Sequence, residues 1–269
     1  MSTLIALFIG LIVGAIMGLT GAGGGIIAVP ALVQAMGWQM QQAMPVALLA
    51  VTAGAVVGTV EGFRKKLVRY RAAIVMALVG MPLTTAGVLA AQTLPQSWLM
   101  TVFAGILLIV AVRLFRHSAQ AASHPSDAQA PPLLCINNVT GRFDWTLTTS
   151  LVIAGIGGIA GFVTGLLGVG GGFVVVPMLR RYTNLSMHGA VATSLLVIAL
   201  VGSAGVASAV MHGAVIPLEF TAFFMLSSAL GMLAGRYIGR HLREHTVQIA
   251  FAGLLVLVAL NFIYRVVTA

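Results

Sequence analysis

Long apolar segments with few charges between them constrain this chain more than any other feature. Such segments of about 20 residues have the length of a membrane-spanning α-helix. Only 7% of the 269 residues are charged, whereas a soluble domain carries about 25%. The sequence therefore predicts an all-α polytopic membrane protein. The uninterrupted segments lie at 43–62, 72–91, 97–115, 189–211, 217–237 and 246–266.

Two longer apolar stretches, 3–36 and 145–179, are interrupted by glycines. The first could be mistaken for a signal peptide, but it lacks a basic n-region, and its glycine motif recurs in mid-chain. We therefore expect it to belong to the mature structure. Residues 117–143 form a polar stretch that predicts a linker, because prolines and small polar residues disfavour a continuous helix. The expected organisation is a first transmembrane repeat at 1–116, a linker at 117–143 and a second transmembrane repeat at 144–269.

The two repeats share a glycine–proline motif. The first copy, Gly18–Leu32, reads GLTGAGGGIIAVPAL, and the second, Gly165–Leu179, reads GLLGVGGGFVVVPML. Nine of the fifteen positions are identical at an offset of 147, and further matches follow at an offset of 148, such as Gly87 with Gly235. The second half is therefore a diverged copy of the first.

Positive charges occupy opposite loops in the two halves. The first half places its basic cluster between the 43–62 and 72–91 segments, whereas the second places Arg180 and Arg181 after the motif and three more arginines at and after the end of the 217–237 segment. By the positive-inside rule, we expect the halves to form inverted repeats with both termini outside the cytoplasm. Opposite orientations require an odd number of membrane crossings in each half. Because three ordinary helices follow each motif, the motif segment must then cross an even number of times, as two half-helices that dip in and return or as two short crossings. The alternative is four plain helices per half in parallel orientation.

The paired GxGGG segments are the strongest candidate for a site. Consecutive glycines permit an unwound turn, and a half-helix starting there would point free N–H groups and a positive dipole end inward. Broken helices at matching positions of two repeats indicate a transporter's midplane site. The alternative is that the glycines only allow close helix packing. The predicted substrate-binding glycines are Gly21, Gly23, Gly24 and Gly25, with Gly168, Gly170, Gly171 and Gly172.

Hydroxyl side chains in the apolar segments are further candidates. Thr20 lies inside the first motif, and Thr193 and Ser194 fall early in the segment after the second motif. A hydroxyl can donate to an anion without burying a charge. The alternative is that each hydroxyl bonds to the backbone of its own helix.

The remaining polar residues give no pattern typical of an enzyme. The histidines lack metal-ligand spacing within a helix, Glu61 is surrounded by basic residues that predict an ordinary ion pair, and the single cysteine, Cys135, lies in the linker. We therefore expect no catalytic residue, no metal and no cofactor. Nucleic acid is not an expected partner, because too few polar residues remain to build a basic face outside the bilayer.

The duplicated glycine–proline motif, the length and the central linker resemble the TauE/SafE family of membrane transporters over nearly the whole chain. The run Ala192-Thr193-Ser194 also resembles the family's pattern, whereas the first half departs from it with Pro45-Val46-Ala47. The resemblance implies a transporter of sulfite, a sulfonate or a related sulfur-containing anion.

These observations predict a secondary transporter of a small sulfur-containing anion in the cytoplasmic membrane, exporting by alternating access between the repeats. The expected partners are the small anionic substrate and the lipid bilayer, and a homodimer is possible. The alternative function is a membrane scaffold or assembly subunit that has no cargo of its own.

Overall fold

The computed structural model describes residues 2–20, 25–123, 147–183, 185–239, 241–242 and 244–268. These residues form ten α-helices, five in each half, and the predicted all-α class is confirmed. The helices are α1 Ser2–Thr20, α2 Ala28–Met36, α3 Met40–Arg64, α4 Tyr70–Thr93, α5 Gln96–Ser123, α6 Leu147–Leu167, α7 Gly172–Tyr182, α8 Met187–Met211, α9 Leu218–Gly239 and α10 Glu244–Thr268.

Seven of the described helices are long and apolar enough to cross a membrane. Six of them, α3, α4, α5, α8, α9 and α10, coincide with the six segments predicted from the sequence, except that α9 begins at Leu218, one residue after the predicted start. The seventh is α6, whereas the apolar parts of α1 and α2 are shorter. The chain is therefore a multi-pass membrane protein, because helices satisfy their own backbone groups where water is absent.

Both glycine-rich stretches interrupt their helices, although the pieces are unequal. The second stretch is divided into the long α6 and the short α7, so only α7 has the length of a half-helix. In the first half a 3₁₀ turn over 25–27 precedes α2. The helix α5 extends to Ser123, so residues 117–123 of the predicted linker are helical, and the rest of that linker lies outside the described residues.

The helices of one half pack against those of the other, and the pattern is unchanged when the halves are exchanged. The first helix of each half packs along the fourth helix of the other half, as α1 on α9 and α6 on α4. The third helices α3 and α8 pack together at the centre, and the fifth helices α5 and α10 pack together. In the most apolar parts of α3 and α8, 72% and 61% of the residues are buried inside the protein, whereas in those of α5 and α10 only 33% are buried. The last helix in each half is therefore the least buried of the seven long apolar helices.

Glycine contacts give the relative directions of the packed helices. A methyl group on Gly161 of α6 would collide with the backbone of Gly80 in α4, and one on Gly165 would collide with Thr84, so α4 and α6 run parallel. Glycines of α9 meet the α1 backbone in the same order, with Gly231 at Leu11 and Gly235 at Ala15, so this pair is also parallel.

The central pair runs in opposite directions. Gly62 of α3 lies against Ala192 near the start of α8, whereas Gly205 near the end of α8 lies against Leu48. Since α3–α4 and α8–α9 are joined by short connections, α4 runs opposite to α3 and α9 runs opposite to α8. In each of the three pairs α1/α6, α3/α8 and α4/α9, the helix of the first half therefore runs opposite to its counterpart in the second half.

Basic residues gather at one end of these helices. The α3–α4 connection, the end of α5 and the end of α7 lie together there, and all three carry Lys or Arg. The connections described at the opposite end, 37–39, 94–95 and 212–217, contain no Lys or Arg. Among the described Lys and Arg residues, Arg265 is the exception, because it lies near the end of α10 at the opposite end. We call the two the basic end and the neutral end.

Candidate functional site

A glycine loop separates α6 from α7 and sets where α7 begins. The amide of Gly168 donates to the carbonyl of Thr164 at 2.8 Å, which ends α6. Gly168, Gly170 and Gly171 then have φ values of 69°, 81° and 63°, which L-residues with a Cβ rarely adopt. Three left-handed residues in four positions reverse the chain sharply, so α7 starts deep in the protein at Gly172.

The two motifs meet beside Val51, near the middle of α3. A methyl group on Gly170 would lie 2.7 Å from a Val51 methyl, and one on Gly25 would lie 3.0 Å from Val51 and 2.9 Å from the carbonyl oxygen of Val169. Both contacts require a residue without a side chain. The described parts of the two motifs are therefore in contact at the level of the centre of the helix bundle.

The first residues of α7 line a cavity. The cap at Gly171 supplies no side-chain hydrogen bond, and its carbonyl accepts from Val174 and Val175 at 3.0 and 3.1 Å. None of the described residues accepts a hydrogen bond from the amides of Gly172 or Phe173, and both residues line the cavity. Free amides at a helix N-terminus favour an anion there.

This large cavity has a volume of about 850 Å³ and opens at the basic end. It lies within the ~300–1,000 Å³ range of ordinary ligand sites. Most of its wall is apolar, with polar groups from both halves. The ionisable residues on the wall are Glu61, Lys65, Arg113, Arg180 and His188.

The charges on this wall leave it net positive. Lys65 Nζ lies 2.6 Å from Glu61 Oε1, which confirms the predicted ion pair. Arg113 and Arg180 form no salt bridge with an acidic residue in the described part of the chain. The wall that contains the start of α7 therefore also carries two guanidinium groups that have no acidic partner among the described residues.

A small cavity of about 40 Å³ lies at the neutral end. The start of α3 and the ends of α4, α6 and α8 surround it, and its polar side chains are Gln41 and Gln92. Its volume is well below the ~300 Å³ of a small ligand pocket. The two cavities thus differ in size and in the charge of their walls.

The structure separates the predicted site residues into groups. Thr20 and Gly172 line the large cavity, and Gly168 lines the small one. Gly25, Gly170 and Gly171 are buried between the motifs and the neighbouring helices. Gly21, Gly23 and Gly24 lie outside the described residues.

The predicted hydroxyl groups already have protein partners. Thr20 Oγ1 donates to the carbonyl of Ile16 at 2.8 Å, and Ser194 Oγ donates to the carbonyl of Val191 at 2.8 Å. Thr193 Oγ1 accepts from the amide of Arg69 at 3.1 Å, and Thr193 and Ser194 are fully buried. Neither of these two lines the large cavity, although Ala192 and Leu195 beside them do. Their role in binding substrate stays a prediction.

The two motif prolines differ in position. Pro30 is the third residue of α2, in its first turn, where the missing N–H costs little. Pro177, the sixth residue of α7, lies in its second turn, so the two copies are not equivalent at this position. The helix begins at Gly172, too early for Pro177 to fall in its first turn, and the carbonyl of Phe173 loses its helical donor.

Sequence reasoning missed Arg180 as a site residue because it counted that arginine only as a topological charge. Phe173, Pro177 and Arg180 all line the cavity. Their spacing of four and three residues places them on one face of a helix. That spacing could have identified Arg180 once α7 was predicted to start at Gly172.

Comparison with known proteins finds one matching protein family and several similar membrane proteins. The family model described as "Sulfite exporter TauE/SafE" matches residues 6–262. A "Probable membrane transporter protein" of Xylella fastidiosa (strain 9a5c) is 26% identical over 269 residues, covering 98% of this chain and 96% of that protein. The "Probable membrane transporter protein YunE" of Bacillus subtilis (strain 168) is 25% identical over 274 residues, covering 98% of each. No solved structure matches the chain significantly.

Proposed function

Because the chain belongs to the sulfite exporter TauE/SafE family of membrane transporters, we propose that it exports a small sulfur-containing anion, such as sulfite or an organosulfonate, by alternating access. The observation that carries the proposal is the large cavity at the basic end, whose wall includes Arg113, Arg180 and the first residues of α7, whose amides have no acceptor among the described residues. Guanidinium groups and helix N-terminal amides both recognise oxyanions.

The orientation follows from the charges. Lys and Arg concentrate in cytoplasmic loops, so the basic end faces the cytoplasm. The large cavity then opens to the cytoplasm, and both the start of α1 and the end of α10 lie on the outer side. An anion would be captured from the cytoplasm in this conformation.

The opposite directions of corresponding helices support inverted repeats as the basis of transport. In such a fold each half can adopt the conformation of the other, which opens a cavity at the opposite end. The small cavity at the neutral end is the counterpart that this exchange would enlarge.

The membrane potential supplies a driving force for export. Moving one negative charge outward across an inside-negative potential of 100 mV releases about 2.3 kcal/mol. That energy corresponds to a concentration ratio of about 45-fold per charge. Export of an anion therefore requires no coupling ion.

The direct test is a flux assay with purified protein in liposomes. Sulfite, sulfate, thiosulfate and a sulfonate are compared at a potential set with potassium and valinomycin. We expect saturable movement of sulfite or the sulfonate toward the positive side, with a rate that follows the imposed potential. An absence of flux for every anion would favour the scaffold, and flux insensitive to the potential would contradict the proposed driving force.

A further inference from the structure

The small cavity at the neutral end is built from the repeat counterparts of residues that line the large cavity. At an offset of 147, Gln41 corresponds to His188, Leu48 to Leu195, and Gly165 to Gly18. One member of each pair lines the small cavity, namely Gln41, Leu48 and Gly165. Its counterpart lines the large cavity, namely His188, Leu195 and Gly18. The two cavities therefore occupy corresponding positions in the two repeats, although one has a volume of about 850 Å³ and the other about 40 Å³.

A hydrogen bond between two helices accompanies the small cavity. Gln41 Nε2, at the start of α3, donates to the carbonyl of Leu94, the residue that caps α4, at 3.2 Å. The bond joins the two helix ends that border the small cavity at the neutral end. It is partly buried, so water competes for it less than for an exposed bond.

The counterparts of these two residues are not hydrogen-bonded to each other at the large cavity. His188 corresponds to Gln41, and Leu242 corresponds to Leu94 at an offset of 148. Both line the large cavity, and the described part of the chain contains no hydrogen bond between them. The same pair of positions is thus hydrogen-bonded at the small cavity and has no such bond at the large one.

We infer that Gln41 and His188 are paired gating residues, each closing the transport pathway at its own end. In the present conformation, the Gln41–Leu94 bond keeps the neutral end closed. In the alternate conformation that bond breaks, and a ring N–H of His188 donates to the carbonyl of Leu242 and closes the basic end. The inference rests on the proposed alternating access and adds the side chains that hold each state.

Loss of the Gln41 donor should favour the conformation that is open at the neutral end. A net intramolecular hydrogen bond of ordinary strength changes an equilibrium by roughly three- to tenfold. The matched control is Gln42, the next residue of α3, which is exposed and does not line the small cavity. Gln41→Met and Gln42→Met remove the same amide from adjacent positions.

Two cysteine reporters on α8 measure which end is open without relying on transport. In a Cys135→Ser background, Ala209→Cys reports on the small cavity and Ala192→Cys on the large one; both alanines are 5% exposed. A membrane-impermeant maleimide is added from the side of each cavity. We expect Gln41→Met to raise labelling at the first reporter three- to tenfold and to lower it at the second, whereas Gln42→Met changes neither.

His188→Ala should produce the reverse shift, and His188→Gln, which retains a donor, should resemble the parent. Gln41→Glu keeps the shape of the side chain without the donor, so it replaces Gln41→Met if that variant does not fold. Equal labelling in the Gln41 and Gln42 variants, or a shift in the same direction for Gln41→Met and His188→Ala, would overturn the inference. If the variants transport the anion but their labelling is unchanged, the proposed function stands and the gating inference is wrong. If the labelling shifts in opposite directions but no anion is transported, the gating inference stands and the proposed substrate is wrong.

Discussion

The backbone amide of Arg69 donates a hydrogen bond to the hydroxyl of Thr193 at 3.1 Å. Arg69 precedes α4 in the first half, and Thr193 lies in the second turn of α8 in the second half. The bond therefore joins the halves at the basic end, close to the wall of the large cavity, of which Ala192 is a part. A residue predicted from the sequence to bind substrate thus has a structural partner in the present conformation.

Thr193→Val should destabilise the protein by about 1–3 kcal/mol, because the shape is kept while a partly buried amide loses its acceptor. Thr193→Ser retains the hydroxyl and should lose much less. The midpoint of thermal unfolding in detergent measures both changes. If the Val and Ser variants unfold at the same temperature as the parent, the bond does not contribute to stability.

Gly161→Ala should weaken the contact between α4 and α6. The added methyl group would collide with the backbone of Gly80, and overpacking of this kind costs about 1–3 kcal/mol. Gly155 lies in the same helix, and a methyl group added there would meet nothing within 4 Å, so Gly155→Ala should be neutral or stabilising by up to about 1 kcal/mol. Equal unfolding midpoints for the two variants would contradict the close packing of α4 on α6.

Gly171→Ala should reduce transport by displacing the start of α7. The residue has a φ of 63°, which costs an L-residue about 1–2 kcal/mol, and its methyl group would lie 2.6 Å from Thr164 Oγ1. Gly105→Ala, in α5 with open space around it, is the control. The measurement is the initial flux per amount of folded protein, and a rate equal to that of the control would show that the loop tolerates a side chain.

Arg180→Gln should raise the half-saturating anion concentration at the basic end by roughly three- to tenfold, a change of about 0.7–1.4 kcal/mol. The reason is that Arg180 lines the large cavity. Arg181→Gln removes the same charge from the adjacent, exposed position, which does not line the cavity. Proteoliposomes with the basic end outward allow the comparison. Similar effects of the two variants would mean that general surface charge, rather than a site, attracts the anion.

The sequence by itself determined that the chain lies in a membrane, where its helices form and where they are interrupted. Apolar runs of membrane length, such as 43–62 and 189–211, lie inside α3 and α8, because a chain with so few charges must satisfy its backbone within helices. The interruption before Gly172 was also predictable, since consecutive glycines disfavour a helix locally. These properties depend on residues close together in the chain.

Only the tertiary structure decided which of these residues share a surface. The hydroxyls of Thr193 and Ser194 looked like ligands in the sequence, yet their hydrogen bonds depend on Arg69, 124 residues away, and on the turn of α8 that precedes Ser194. Arg180 looked like a topological charge, yet the depth at which α7 begins brings it to the cavity wall. The small cavity likewise depends on tertiary structure, because α3, α4, α6 and α8 together surround it and no periodicity within one helix encodes that arrangement.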